Sequence, residues 1–216
     1  LDGKTGSVII NPDTETVSRM KQNIERIETF KRKTQQVTKE KSITLCGTEI
    51  HLYGNIEFSH EISQVIQKGG EGVGLYRTEF QYLTSNQTPT EEQLFEEYSS
   101  SIKELDGRRL TIRTLDLGAD KYTQAQAMEP ERNPFLGLRS IRYCLQNIDL
   151  FRTQLRAIVR ASSLGPLQIM FPLITSMNEL RQAKLIFNEV LEECQDEGIV
   201  SAPSIPVGMM VEVPSA

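Results

Sequence analysis

The chain has 216 residues, with 24 lysines and arginines against 29 aspartates and glutamates and a formal net charge of −5. With 25% charged and 38% hydrophobic residues it has the balance of a folded protein, in one domain or one large and one small, and not of a disordered chain. The acidic sign argues against a nucleic-acid surface, and no apolar run is long enough to span a membrane, so any anion site must be a local cluster of basic side chains.

Leu1 to Pro12 holds an Asp2-Gly3 turn and a strand-like run, Ser7-Val8-Ile9-Ile10. Leu1 opens without a methionine, and we expect a piece of a longer chain. Asp13 to about Lys33 has the period of one long helix, on which Val17, Met20, Ile24 and Ile27 fall three and four apart. That narrow seam suits either a partner helix or the helix's own domain. Lys31-Arg32-Lys33 and Lys39-Glu40-Lys41 read as a solvated face or linker.

From Ser42 onward strands and helices alternate. Ile43-Thr44-Leu45 and Glu49 to Tyr53 flank Cys46-Gly47-Thr48, and Tyr53-Gly54-Asn55-Ile56 closes the first strand. Ser59 to Lys68 is a helix with Ile62, Val65 and Ile66 on one face, stopped by Gly69. Gly70 to Gly74 bring the backbone close to a neighbour, and Val73-Gly74-Leu75-Tyr76 is a short buried strand. Arg77 then stands at its C-terminal end, where ligands bind in parallel α/β architectures. Thr90-Glu91-Glu92-Gln93 fits a capping box, and its helix runs to Gly107.

The strand that follows carries Arg109 and Arg113, with Arg113 level with Arg77 if the two strands are parallel neighbours. Residues 117–135 are long and irregular, as functional or disordered loops are. Ile148 to Leu164 is a helix with Arg152, Arg156 and Arg160 along one side, and Leu167 to Pro172 is a fourth strand. Ser176-Met177-Asn178-Glu179 is a second capping box, opening a helix that Gly198 stops. Pro206 to Val213 is the fifth strand. Such alternation means a parallel sheet with helices on its faces, but pattern does not separate a doubly wound sheet from part of a (β/α)8 barrel.

Two arginines at the ends of two buried strands suit an anion, because a guanidinium pairs bidentately with phosphate or carboxylate. The alternative is a structural ion pair with Glu79 or Asp116. Glu212 falls in an otherwise apolar strand, where an unpaired carboxylate would be costly to bury; a divalent ion or an arginine would relieve that cost. Cys46, Cys144 and Cys194 are widely spaced without a C-x-x-C pair, which favours reduced thiols in a cytosol. Cys194 falls on an apolar helix face. His51 and His60 lack the context of a phosphoacceptor or metal ligand.

Gly74-Leu75-Tyr76-Arg77-Thr78-Glu79-Phe80 and Arg113-Thr114-Leu115-Asp116-Leu117-Gly118-Ala119-Asp120-Lys121 resemble signature stretches of the Enzyme I family. Those enzymes are the phosphoenolpyruvate–protein phosphotransferases of the bacterial sugar phosphotransferase system. Residues 133–142 and Gly208 to Pro214 resemble two further stretches of the same family, so the likeness covers nearly the whole chain. The resemblance implies a partial (β/α)8 (TIM) barrel of about five parallel strands over residues 42–216, preceded by a long connecting helix. It places the end of a phosphohistidine domain at residues 1–12 and a helical linker at residues 13–41.

Arg77, Arg113 and Arg139 match the family's phosphoenolpyruvate-contacting arginines, Lys121 a lysine near them, and Glu212 a glutamate that binds Mg²⁺. Arg139 has a plainer alternative as an exposed helix arginine. The phosphoacceptor histidine, a second metal carboxylate and a proton-donor cysteine would lie outside these residues, leaving no catalytic group within them. Further implications are a histidine-containing phosphocarrier protein as partner, a homodimer through the barrel, and a cytoplasmic location. Rival readings are the barrel of a pyruvate phosphate dikinase or phosphoenolpyruvate synthase, or a regulatory module that kept the fold.

Overall fold

The structure is a computed structural model that describes residues 3, 6–38, 40–83, 88–118 and 137–216. The chain separates into two compact units, residues 1–50 and 51–216. In the first, helix α1 spans Thr14–Val37, a turn longer than its apolar period announces, and Asp13 caps it by accepting the Thr16 amide at 2.7 Å. Val17, Met20, Ile24 and Ile27 are exposed along it. The strand expected at Ser7–Ile10 is not formed: Ser7 takes part in an isolated bridge and Val8 to Ile10 have no regular structure. β pattern becomes a strand only where a neighbour satisfies the backbone along its whole length, and a single bridge does not do so.

A tight hairpin closes this unit, with Ile43 bridging Glu49 and Gly47 at φ 86° in the turn. The Thr44 and Thr48 hydroxyls lie 3.0 and 3.5 Å from Cys46 Sγ. With hydrogen bonding from Thr44 foremost, then from Thr48, the exposed thiol is lowered to about 7. Cys144 and Cys194 are fully buried, and burial pushes both thiols up. Of these three cysteines only Cys46 should be alkylated in the native protein, with a rate that rises through pH 7 as the thiolate forms. Peptide mass mapping across a pH series checks this; a midpoint near the free-cysteine value would show that the hydroxyls do not hold the thiolate.

The second unit is an α/β layer. Its parallel strands are β1 (Gly54–Ile56), β2 (Gly72–Arg77), β3 (Arg109–Arg113), β4 (Leu167–Phe171) and β5 (Val207–Met209), adjacent in that order. Each strand is added at the same edge with no reversal, whereas a doubly wound sheet reverses at a switch point. Right-handed crossovers then put successive helices on one face. This is the winding of a (β/α)8 barrel wall, with five of its strands present.

Helices α2 (Ile62–Gln67), α3 (Glu79–Leu83), α4 (Glu91–Leu105), α5 (Ile141–Gln146), α6 (Ile148–Ala161) and α7 (Met177–Asp196) accompany the strands. A 3-10 turn at Ser59–Glu61 precedes α2, dividing what the sequence pattern reads as one helix. Both expected capping boxes are formed, by Thr90 with Gln93 on α4 and by Ser176 with Glu179 on α7. The core lies between β2–β4 and the inner faces of α4, α6 and α7, where Tyr98, Phe151, Leu155, Phe171 and Val190 are closed to solvent. On the outer side Arg156 links Glu91 of α4 to Glu197 beyond α7, and Arg160 links Glu91 to Glu92. The arginine row along α6 is thus a seam between helices.

The fifth strand is shorter than its sequence suggests. It ends at Met209 instead of Val213, and Glu212 lies beyond it, exposed. The burial cost inferred for that carboxylate therefore does not arise. Among the described residues no helix is long and apolar enough to cross a membrane.

Candidate functional site

The strand ends build the site. β2 needs five steps from Gly72 to Arg77, whereas β3 needs four from Arg109 to Arg113, yet both pairs of residues are register partners. A bulge between Val73 and Tyr76 absorbs the extra residue. Gly74 sits in it, where a Cβ would come within 2.8 Å of Tyr53 Cβ. The bulge turns Tyr76 into the core and sets Arg77 beside Arg113 at the C-terminal end of the sheet.

Arg139 reaches the same place from another direction. Gly118, just after β3, forms an antiparallel bridge with Arg139, and Ser140 follows at φ 53°, ψ −128°. Strained backbone of this kind persists where surrounding contacts over-determine it. Here Ser140 N donates to Leu117 O at 2.8 Å and Ser140 Oγ donates to Asp116 Oδ1. Arg139 is thus fixed by a bridge and is not the exposed helix arginine of the plainer reading.

Arg77, Arg113 and Arg139 line one pocket of about 180 Å³ with Glu57, Glu79, Phe80, Leu83 and Asp116. Arg113 is the buried centre, 8% exposed. Its Nη2 donates to Glu79 Oε1 at 2.5 Å, and its Nη1 lies 3.1 Å from Asp116 Oδ2 and 3.7 Å from Met210 Sδ. Arg139 Nη2 is 3.6 Å from Asp116 Oδ1, and Arg77 Nη2 is 2.5 Å from Glu57 Oε1. The ion pairs with Glu79 and Asp116 that the sequence left open for Arg113 are both present.

Three guanidinium groups therefore face three carboxylates. Burial raises the Glu79 carboxyl above its ordinary range, with Asp116 adding to the effect and Arg113 opposing it. Burial outweighs the ion pair because the carboxylate loses its water while sharing its cation with Asp116. Arg77 Nε and Arg113 Nε are buried and have no hydrogen-bond partner among the described residues, so the cluster holds donors that its own carboxylates do not use.

Of the other residues singled out from sequence, Lys121 lies outside the described residues. Glu212 is not among the pocket's lining residues. Its Oε1 accepts the Leu173 amide at 2.7 Å, at a residue with φ 51° just beyond β4, and no arginine pairs with it among the described residues. It follows Met210, which touches Arg113, by two positions. Among the described residues no three His, Cys, Asp or Glu side chains cluster as a metal site.

Sequence reasoning missed Glu57. The available signal was its position directly after β1, at the sheet end where the next strand delivers Arg77. It also missed Phe80 and Leu83, which supply the pocket's apolar wall.

The family described as PEP-utilising enzyme, PEP-binding domain, matches residues 31–216. Among curated relatives, the phosphoenolpyruvate-protein phosphotransferase of Geobacillus stearothermophilus is 42% identical over 216 residues, covering 100% of this chain and 37% of that protein. Proteins of the same name from Staphylococcus carnosus (strain TM300) and Bacillus subtilis (strain 168) are each 41% identical over 215 residues, covering 100% of this chain and 38% of each relative. The chain thus spans well under half the length of the curated relatives it matches. With strand order, pocket position and this match in agreement, the chain belongs to the PEP-utilising enzymes, and residues 31–216 correspond to their PEP-binding domain.

Proposed function

We propose that the pocket holds phosphoenolpyruvate for transfer of its phosphate to a histidine elsewhere in the complete protein, and from there to a histidine-containing phosphocarrier protein. The observation that carries this reading is the convergence of Arg77, Arg113 and Arg139 at the C-terminal ends of parallel strands. Phosphoenolpyruvate presents a phosphate and a carboxylate close together, and two or more planar forks in one pocket match both charge and shape. Arg113, buried and fixed by two carboxylates, would orient the anion. Arg77, at the more open side, would change partner on binding. Their preorganised charge would also favour the enolate that develops as the phosphate leaves.

Mg²⁺ belongs to the same reading. One Glu212 oxygen holds Leu173, and the other has no hydrogen bond among the described residues, which suits an ion that takes one or two carboxylates and fills its shell with substrate oxygens and water. Bound there it would supply charge neutralisation at the phosphate. Lys121, a homodimer through the barrel and a cytoplasmic location rest on the resemblance to the phosphotransferases.

The reading gives Glu57 the part of a displaceable counter-ion. It is 41% exposed, and Arg77 39%, so their pair is the easiest in the pocket to open. Glu57→Gln is expected to tighten phosphoenolpyruvate binding by about two- to fivefold, the worth of an exposed ion pair of roughly 0.4–1 kcal/mol. Calorimetric titration of the complete protein checks this, and weaker binding would show that Glu57 positions Arg77 instead of competing for it.

The function is tested by incubating the complete protein with phosphoenolpyruvate and Mg²⁺, with and without nucleotide or phosphocarrier. Nucleotide-independent formation of acid-labile phosphohistidine, discharged by the phosphocarrier, is expected. A requirement for nucleotide would transfer the chain to the dikinase or synthase reading, and absence of any transfer would favour a binding module.

A further inference from the structure

One buried amide bonds to the residues that follow β2 and β3. Gln154, on the inner face of α6, is completely closed to solvent, as are Thr78, Tyr98 and Leu115 around it. Its Oε1 accepts the Leu115 amide at 2.9 Å. Its Nε2 donates to Thr78 Oγ1 at 3.0 Å and to Tyr98 Oη at 3.2 Å, using both N–H groups. Thr78 Oγ1 in turn donates to the Arg113 carbonyl at 3.0 Å. Tyr98 passes the chain to Gln81 at 3.3 Å, and Gln81 to Tyr76 at 3.2 Å.

These partners occupy special positions. Thr78 follows Arg77, Leu115 stands between Arg113 and Asp116, and Tyr76 precedes Arg77. Beyond Arg77 and Arg113 the β2–β3 ladder has ended, so adjacent backbone groups no longer fix one another. The Gln154 network takes over where the ladder stops. A leucine or alanine would fill this helix face at less desolvation cost, and a buried primary amide is tolerated only when its polar atoms are satisfied. Here both donors and the acceptor are used, and all lead to residues flanking the pocket's arginines.

We propose that Gln154 is a positioning residue for the anion site, locking the C-terminal ends of β2 and β3 together so that Arg77, Arg113 and Asp116 keep their mutual spacing. The inference rests on the phosphoenolpyruvate reading of the pocket. Gln154 lines no part of the pocket itself and acts through Thr78 and Leu115.

The test uses the complete protein and calorimetric titration with phosphoenolpyruvate. Gln154→Met keeps the side chain's length and removes its hydrogen bonds; its Kd should rise about 10- to 100-fold, the range expected when a binding group is displaced by an ångström or so. Thr78→Val, which keeps the shape and removes the hydroxyl, should raise Kd in the same direction. Gln154→Glu keeps the acceptor for Leu115 and should fall between wild type and Gln154→Met. Val159→Ala is the control: it trims a buried side chain on the same helix that has no hydrogen bonds to the strand ends, so it should lower the melting temperature and leave Kd within twofold of wild type.

Wild-type affinity in folded Gln154→Met and Thr78→Val would overturn the inference while leaving the site reading intact. A rise in Kd for Val159→Ala as large as for Gln154→Met would overturn it too, by showing a general effect of destabilisation. Absence of binding by wild type would overturn the reading of the site, and the inference with it.

Discussion

Arg113→Lys is expected to weaken phosphoenolpyruvate binding by about 10- to 150-fold, which corresponds to losing one charged hydrogen-bonding arrangement of about 1.5–3 kcal/mol. Arg113 spans Glu79 on one side and Asp116 on the other, 2.5 and 3.1 Å away, and keeps Nε unused among the described residues. A planar fork can hold two carboxylates at fixed angles and keep a further donor in reserve. A lysine offers one compact ammonium and cannot serve three directions at fixed geometry. Charge is unchanged by the substitution, so a simple electrostatic attraction would survive it. Calorimetric titration of the complete protein measures the difference, and an unchanged Kd would return Arg113 to a purely structural role.

Gly72→Ala is expected to cost about 2–6 kcal/mol, combining strain at an unfavourable backbone angle with overpacking. Gly72 opens β2 at φ 150°, a conformation that side-chain-bearing residues seldom take. A Cβ there would lie 2.5 Å from the Arg109 carbonyl oxygen and 3.1 Å from the Arg109 amide nitrogen, both backbone atoms of the paired strand. Neither can swing aside, so β2 must move off β3, and Arg77 with it. Gly107→Ala makes the contrast: its φ is 78°, but nothing lies within 4 Å of the added carbon, so only about 1 kcal/mol of strain is expected. Urea unfolding of both variants against wild type checks the ranking. Equal losses would mean that the close approach of β2 and β3 has room to relax.

The glycines near residue 70 illustrate what was legible in the sequence. Their density announced a close backbone approach, and the approach exists, to Val65 at Gly70, to Arg109 at Gly72 and to Tyr53 at Gly74. Strand order was not legible, because helix–strand alternation is the same in both kinds of parallel sheet. The register of Arg77 and Arg113 depends on a bulge, and an extra residue leaves no mark in a run as short as Val73 to Tyr76. Glu212 was misplaced because an apolar run says where a strand can continue, not where its neighbour stops supporting it. β4 ends at Phe171, and β5 has no ladder to join beyond Met209. Gln154 was hidden for a different reason. A single polar residue on a helical repeat reads as surface until its hydrogen-bond partners, 39 and 76 positions away, are brought beside it.

One small anion should be held jointly by arginines from adjacent strand ends. The direct measurement is a titration of the complete, isotope-labelled protein with phosphoenolpyruvate, following the arginine side-chain Nε–H resonances. Those of Arg77, Arg113 and Arg139 are assigned by single substitution to lysine. All three should shift together along one binding curve, while Arg152, Arg156 and Arg160 on the helical seam stay still. Saturable binding that leaves Arg77 and Arg113 unmoved would contradict the account.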